Sequence, residues 1–474
     1  MLPLALDILL AFVALLVFVV DLLMPAEEKR GLGILAAAGV ALTLVASFFV
    51  DISGTAFGGA FIGDGVALYL KRIFLAAGTV GILLAFDHAD RKFAARQGEY
   101  YLLILFSLLG MTLLASAREL IFLVVAFELM SLPLYILTAI AKDRGPSGEA
   151  AMKIYLVGAA SAAITLYGLS LVYGATGTTQ IPAIAAQIAA GKTTPLLIAG
   201  MLVTLGGLGF KLGAVPFHMW VPDAYEGAPT PFVAFLSVAP KAAGFAVLIR
   251  LYLEGFLGAA SSWMPMLVVI TAATMVVGNL LAIPQSNVKR LLAYSGVGQI
   301  GYMLLGVLVG SAEGVAMLLF FLVAYLFTNM GAFAVATFIG DVEGSDDIAA
   351  YRGLNRRSPG LALAMLLFLL SLGGIPFVVG FWAKLHMFIA AYQGGFISLV
   401  LVGALLSVVG LFYYMKIARS IYMEEPAPDA KPLPQMGLAL KTGLVATCAG
   451  VVGIGVYPGP FVETALAAAK VLLP

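Results

Sequence analysis

Four ionisable residues stand where an apolar chain has least reason to put them. Glu128 lies in IFLVVAFELMSLPLYIL, Lys211 follows the hydrophobic run 196–210, Lys241 lies in FLSVAPKAAGFAVLI and Lys384 in FWAKLHMF. A charge at the centre of a bilayer costs roughly 2.5–3.5 kcal/mol on insertion scales. Glu128 is about nine residues into its run, too deep to reach solvent, and Lys241 and Lys384 are placed alike. Lysine differs from arginine in that it can deprotonate inside a protein. Burial lowers a lysine's proton affinity and a neighbouring carboxylate raises it, so a buried Glu–Lys pair stores a proton adjustably. A row of such groups, joined by water, Ser, Tyr and His, makes a proton relay. Five positions in separate spans are too many for one carboxylate clamp. Lys153, in AMKIYLVGAA, is the fifth: a relay member, or a residue that snorkels to the interface. Lys289 and Arg290 are part anchor, and Ser295, Gln299 and Tyr302 follow them on the same predicted span. Asp7, Asp21, Lys71, Arg72 and Arg250 sit close enough to span ends to snorkel.

The elements that must position these groups are membrane spans. The chain has 474 residues, 62% hydrophobic and 11% charged, against about 25% charge in soluble domains. Apolar runs recur throughout without strand-like alternation, which predicts an all-α polytopic membrane protein and excludes a β-barrel. The expected spans are 3–24, 32–50, 66–86, 100–117, 119–140, 152–173, 195–214, 232–253, 263–283, 291–311, 315–338, 359–391, 396–418 and 441–459, about 14 transmembrane helices. The first run starts without a basic leader and reads as a retained helix. Lys and Arg crowd alternate loops: Lys29 and Arg30; Arg91, Lys92 and Arg96; Lys142 and Arg144; Lys289 and Arg290; Arg352, Arg356 and Arg357; Arg419 and Lys431. The other loops hold little more than Arg118 and Lys192, so both termini are expected outside the cytoplasm. The acidic run 341–347 reads as solvated loop surface, the connection 174–193 is almost uncharged, and the proline-rich 419–435 reads as an extended loop.

Two stretches are too interrupted to be plain helices. GFKLGAVPFHMWVPDAYEGAPTP (209–231) follows Lys211 with Pro216, and SLGGIPFVVGFWAKLHMF (371–388) places Gly373, Gly374 and Pro376 before Lys384. Glycine and proline break the helical ladder, and the freed carbonyls need protein or water as partners in a bilayer. One such break in each half of the chain fits an internal repeat with discontinuous helices. His218 and His386 accompany the breaks. Asp223 and Glu226 are either loop anchors or relay members. Other chemistries find no support. There is no GxxxxGK[ST] loop for ATP, no CxxC and a single cysteine, Cys448. The three scattered histidines offer no metal site, and the formal net charge of +1 suggests no nucleic-acid partner.

The block FKLGAVPFHMWVPDAYEGAPTPFVAFLSVAPKAAGF, 210–245, resembles the antiporter-like membrane subunits of respiratory complex I, NADH:quinone oxidoreductase. FELMSLPLYIL (127–137), NVKRLLAYSGVGQIGYML (287–304), YRGLNRRSPGLA (351–362) and SLGGIPFVVGFWAKL (371–385) support it, and the similarity covers almost the whole chain. The YEGAPTP wording is nearest to the shortest of the three antiporter-like types. The resemblance implies two inverted five-helix repeats, with helices 7 and 12 discontinuous. The implied organisation is 1–99 for helices 1–3, 100–258 and 259–420 for the repeats, and 421–474 for a polar loop and last helix. It implies that Glu128 and Lys211 form a charge pair at one end of a relay, that Lys241 is its central group and that Lys384 stands near the other exit. His218 is implied as a relay or water-organising group, and Lys153 matches less securely. The implied function is a translocase subunit that moves protons while partner subunits reduce quinone. FMN, iron–sulfur clusters and the quinone site would lie in those partners, with no cofactor or metal in this chain. The implied partners are other membrane-arm subunits, antiporter-like and small ones included, and membrane lipids. The implied location is a bacterial inner membrane with both termini periplasmic. The alternative is a subunit of a multisubunit cation/proton antiporter. A non-pumping scaffold would have no reason to bury four charges.

Overall fold

The computed structural model describes residues 2–25, 29–141, 145–426, 432–470 and 472. Lys142, Arg144 and Lys431 of the expected charged loops lie outside them. The helices, in chain order, are α1 (Ala5–Leu23), α2 (Arg30–Ala46), α3 (Gly65–Lys92), α4 (Gln97–Ala115), α5 (Leu120–Thr138), α6 (Gly145–Thr176) and α7 (Ile181–Ala189). They continue as α8 (Pro195–Leu212), α9 (Trp220–Gly227), α10 (Thr230–Leu236), α11 (Ala239–Leu248), α12 (Ala260–Ala282), α13 (Val288–Val309) and α14 (Ala312–Glu343). The last are α15 (Leu354–Arg357), α16 (Pro359–Gly373), α17 (Val379–Gln393), α18 (Ile397–Met423), α19 (Leu438–Val456) and α20 (Gly459–Ala469).

Among the described residues, 12 helical stretches are long and apolar enough to cross a bilayer. The two other expected spans take different forms. Span 32–50 becomes the 17-residue α2, and 359–391 splits into α16 and α17 around a non-helical turn. The protein is a multi-pass all-α membrane protein. In the stretch Thr230–Gly255, built from α10, α11 and a π-helical turn at Ile249–Gly255, the most apolar 18 residues are all buried, and those of α13 and α14 nearly so. About two thirds of α1, α6 and α18 stay outside the packed interior. Lys241 therefore rides on the most enclosed element of the bundle.

Local chemistry sets the ends that matter. Asp64 caps α3 by accepting from Ala67 N at 2.8 Å. Asn287 caps α13 by accepting from Lys289 N and Arg290 N. Both lysine-bearing breaks follow a glycine in the left-handed region, Gly213 (φ 73°) after α8 and Gly374 (φ 83°) after α16. Such a conformation disfavours any residue with a Cβ, so each helix stops there.

Three sequence readings need correction. Asp7, Lys71 and Arg250 do not snorkel: they are 3%, 0% and 1% exposed. The end of the bundle where they lie is covered by a short antiparallel hairpin, β1 (Gly54–Ala56) and β2 (Phe61–Gly63), with Thr55 opposite Ile62. The Phe61 ring stands 4.8 Å from Lys71 Nζ, and Lys71 donates to Asp7 Oδ2 at 2.6 Å. Arg250 grips Asp64 with both terminal nitrogens at 2.7 and 2.8 Å, and Glu254 adds a link to Arg118. Burial is tolerable because each charge is paired. The acidic run 341–347 is not merely solvated. Asp341 accepts from Arg91 at 2.7 Å and faces His88 Nδ1 at 3.0 Å, joining α3 to α14. The start of the proline-rich linker, 419–423, continues α18. The uncharged connection 174–193 contains α7, whose Ile181, Ile184 and Ile188 are buried.

Candidate functional site

Lys211 closes α8 just before the first break. Its Nζ donates to Ser131 Oγ at 2.7 Å and Tyr135 OH at 2.8 Å on α5, with the Phe127 ring 4.6 Å away. Glu128, Ser131 and Tyr135 share one face of α5, at spacings of three and four residues. Glu128 is part-buried and lines a small void with Phe127, Ala162, Thr165 and Leu208. Glu128 and Lys211 thus sit on one face pair, but hydroxyls, not the carboxylate, hold the ammonium. The broken backbone nearby is satisfied by other groups. Trp220 Nε1 donates to Phe210 O at 2.9 Å, and Val215 N donates to Thr274 Oγ1 at 3.0 Å. His218 lies on this connection, half-buried, with its ring 6.4 Å from that of Tyr294.

Lys241 is 1% exposed and its Nζ has no hydrogen-bond partner among the described residues. The rings of Tyr225 and Tyr325 lie 5.5 and 6.0 Å from it, and both tyrosine hydroxyls are likewise unpartnered. These three buried polar atoms, Lys241 Nζ and the two tyrosine hydroxyls, have no hydrogen-bond partner among the described residues. Gly296 of α13 makes the room: a Cβ there would fall 2.8 Å from Tyr325 OH and 2.9 Å from Lys241 Nζ. One turn earlier than Lys241, Ser237 accepts from Asn329 Nδ2 at 2.7 Å, extending the polar layer onto α14.

From Gly296 the polar groups continue along α13. Ser295 bonds the hydroxyl of Tyr414, and Gln299 Nε2 lies 3.4 Å from the same hydroxyl. Gln299 Nε2 also donates to Leu372 O at 3.0 Å. That carbonyl and Gly373 O accept from Lys384 Nζ at 2.9 and 3.3 Å, with the Tyr302 ring 4.9 Å from the ammonium. The second break therefore gives its freed carbonyls to the lysine that follows it. A void of about 10 Å³ adjoins Lys384, Gln299, Tyr325, Thr328 and Ser371, close to the least that holds one water. A branch runs from Tyr302 through Asn279 to Tyr413, at 3.1 and 3.0 Å.

Lys153 stands apart from these. It is about half exposed and bonded to Glu149 and Asp223, both at 2.8 Å. Asp223 also meets Arg290 at 3.0 Å, and Arg290 meets Glu226 at 2.7 Å, so five charges tie α6, α9 and α13 together. Partial burial pushes the Asp223 carboxyl up, but the bonds from Lys153 and Arg290 outweigh it and hold it below the usual carboxylate range. Lys289 Nζ donates to Glu226 O and Ala228 O, both at 2.9 Å. It lines an open cleft of about 620 Å³ with His88, Arg96, Thr230 and Asp341. Tyr225, Tyr325, Gly296, Ser131 and Tyr135 were not singled out from sequence. Ser131 and Tyr135 carry a readable signal, the helical spacing from Glu128. Tyr325 does not, because only the fold sets α14 against α11.

The family model for the transmembrane region of NADH:quinone oxidoreductase and Mrp antiporters matches residues 117–410. The chain belongs to this family. It is 44% identical over 448 residues to NADH-quinone oxidoreductase subunit N of Heliobacterium modesticaldum, covering 94% of each chain. A chain of respiratory complex I from Thermus thermophilus has a similar structure, with a TM-score of 0.82, 33% identity and coverage of 97% of this chain and 98% of that one. A chain of the Mrp complex from Dietzia shares the fold at a TM-score of 0.87, with 24% identity and coverage of 99% and 97%. Fold alone therefore does not separate the two branches of the family, whereas sequence sets this chain with subunit N.

Proposed function

We propose that this chain is the subunit N of an NADH:quinone oxidoreductase and translocates protons in its membrane arm, coupled to quinone reduction in partner subunits. The observation that carries this reading is Lys241: an ammonium-bearing side chain on the most buried element, with no fixed acceptor. Its proton can be held only by water and ring faces, so small changes around it change its charge state. Lys211 is reached through the α8 break and Lys384 through Ser295, Gln299 and Leu372 O. Glu128 biases the Lys211 end by its charge, and His218 stands where water could join that end to α13. Lys153, Asp223 and Glu226 are better read as an ionic clamp than as relay members.

The same reading makes residues 100–258 and 259–420 two inverted five-helix repeats, flanked by 1–99 and 421–474. Its support is positional: the break falls in the fourth span of each set of five. The loop distribution of Lys and Arg supports a bacterial inner membrane location with both termini periplasmic. Redox cofactors and quinone then belong to the other subunits, and this chain works as a translocase without its own electron carrier.

The test is NADH-driven acidification in vesicles holding the assembled complex. Lys241→Ala should lower pumping by roughly tenfold or more. Lys241→Arg should be nearly as damaging, because arginine keeps its proton. Normal pumping at normal assembly in either variant sinks the central role of Lys241.

A further inference from the structure

At the hairpin-covered end of the bundle, an apolar crevice of about 340 Å³ opens between α2, α3, α14 and α20. That is in the range, roughly 300–1,000 Å³, of small-molecule sites. Leu44, Ile73, Ala76, Val323, Leu326 and Phe327 form its walls, and Phe461 of α20 closes one side. At its mouth stands Arg72. The guanidinium lies over the Phe48 ring at 4.3 Å and is pinned to Ser47, with Nη2 donating to the carbonyl at 2.7 Å and Nε to the hydroxyl at 3.3 Å. Among the described residues these bonds leave Nη1 unused. Near this end Arg118 and Arg250 are paired with carboxylates, whereas among the described residues no carboxylate meets Arg72 within 4.0 Å.

Depth along α3 orders these features. Arg72 is seven residues into the helix, about 10 Å from its start, and Ala76 is about 16 Å in. The charge therefore sits at the level where headgroups give way to hydrocarbon, and the apolar walls continue inward from it. An exposed Phe48 and the neighbouring Tyr69 mark the same level, as interfacial aromatics do. A fixed, uncompensated cation above a hydrocarbon-lined slot is complementary to one class of molecule.

We propose that this crevice is a binding site for an anionic phospholipid, its phosphate held by Arg72 and one acyl chain lying between α3 and α14. The free edge of the guanidinium supplies the donor fork that a phosphate accepts, and the single negative charge of the lipid balances Arg72. The site lies apart from the lysine row and does not depend on the proposed proton path. Its position against α14, which carries Tyr325, makes bound lipid part of what packs that helix.

The test uses the purified assembly containing this chain, reconstituted with phosphatidylglycerol carrying a photoactivatable diazirine in mid-chain. Phosphatidylcholine with the same acyl chain is the comparison. Cross-linked peptides are mapped by mass spectrometry. Phosphatidylglycerol should label residues 73–76 and 323–327, about fivefold above phosphatidylcholine, the scale of one interfacial arginine. Arg72→Gln should remove that preference, and Ala76→Trp should fill the slot and remove labelling by both lipids, with assembly size unchanged. Equal labelling by the two lipids in the unaltered assembly overturns the proposal. So does absence of label at these segments, as when a neighbouring subunit's helix occupies the slot.

Discussion

Gly296 sets the room available to Lys241. Replacing it with alanine puts a methyl carbon 2.9 Å from Nζ and 2.8 Å from Tyr325 OH, in the gap that the proposed relay would need a water to bridge. Gly296→Ala should leave the complex assembled and lower NADH-driven pumping by a factor on the order of ten, since sub-ångström displacement of a transfer group is costly. Unchanged pumping would mean that no water is needed there. Away from the lysine row, Asp7 and Lys71 form a closed buried pair. Asp7→Asn should destabilise the chain by about 3–5 kcal/mol, because it leaves an ammonium buried and unpaired. Asp7→Asn with Lys71→Met should recover most of that loss in thermal stability. If the double variant is no better than the single one, the pair is not what matters at that end. These two sites also mark what residue types alone disclose. A lysine deep in an apolar run is visible in the sequence because depth can be counted. Asp7 and Lys71 lie only a few residues from span ends, so counting predicts solvent contact. The hairpin that covers them is a tertiary fact: β2 is tied to the α4–α5 turn by Ile62 N to Ser116 O and Arg118 N to Ala60 O, at 2.9 and 2.8 Å.

Two elements work because they stop. The chain ends α8 and α16 at glycines in the left-handed region, and only the second break lends its carbonyls to its lysine. At Gly374 a Cβ would meet Lys384 Cδ at 2.9 Å, besides the strain of its φ of 83°. Gly374→Ala should therefore impair pumping more than Gly395→Ala. Gly395 has a φ of 87° and nothing within 4 Å of an added Cβ, so its variant measures the backbone penalty of about 1–2 kcal/mol alone. Equal pumping by the two variants would detach Lys384 from the break. Both breaks were legible, since Gly and Pro announce themselves inside apolar runs. Short amphipathic pieces were not: α7, α9 and α20 have too few residues for a period to stand out. The charge pair of Glu128 and Lys211 is implied by the family resemblance, and no spacing in the sequence gives its geometry. Ser131 and Tyr135 occupy the ammonium, and no count of charges reveals which of several neighbours a lysine chooses.

The whole molecule is a bundle whose central elements, Thr230–Gly255, α13 and α14, carry the polar groups, while α1, α6 and α18 face outward. Composition was enough for that class, because nothing except a membrane accommodates so much apolar surface on so long a chain. What composition could not give is the source of energy. A row of protonatable groups conducts in either direction, and net transport needs a driving reaction. The proposed reaction belongs to other chains, so what accompanies this one is decisive. A tagged chain taken from its native membrane in mild detergent should bring flavin- and iron–sulfur-bearing subunits with it and oxidise NADH with quinone. In vesicles, the purified assembly should acidify the lumen on NADH addition, and an imposed sodium gradient without NADH should not move protons. The cation/proton antiporter alternative expects the reverse on both counts: no redox subunits in the preparation, and proton movement driven by the cation gradient. The lysine row would serve either machine, which is why the Lys241 variants test the path and the purification tests what drives it.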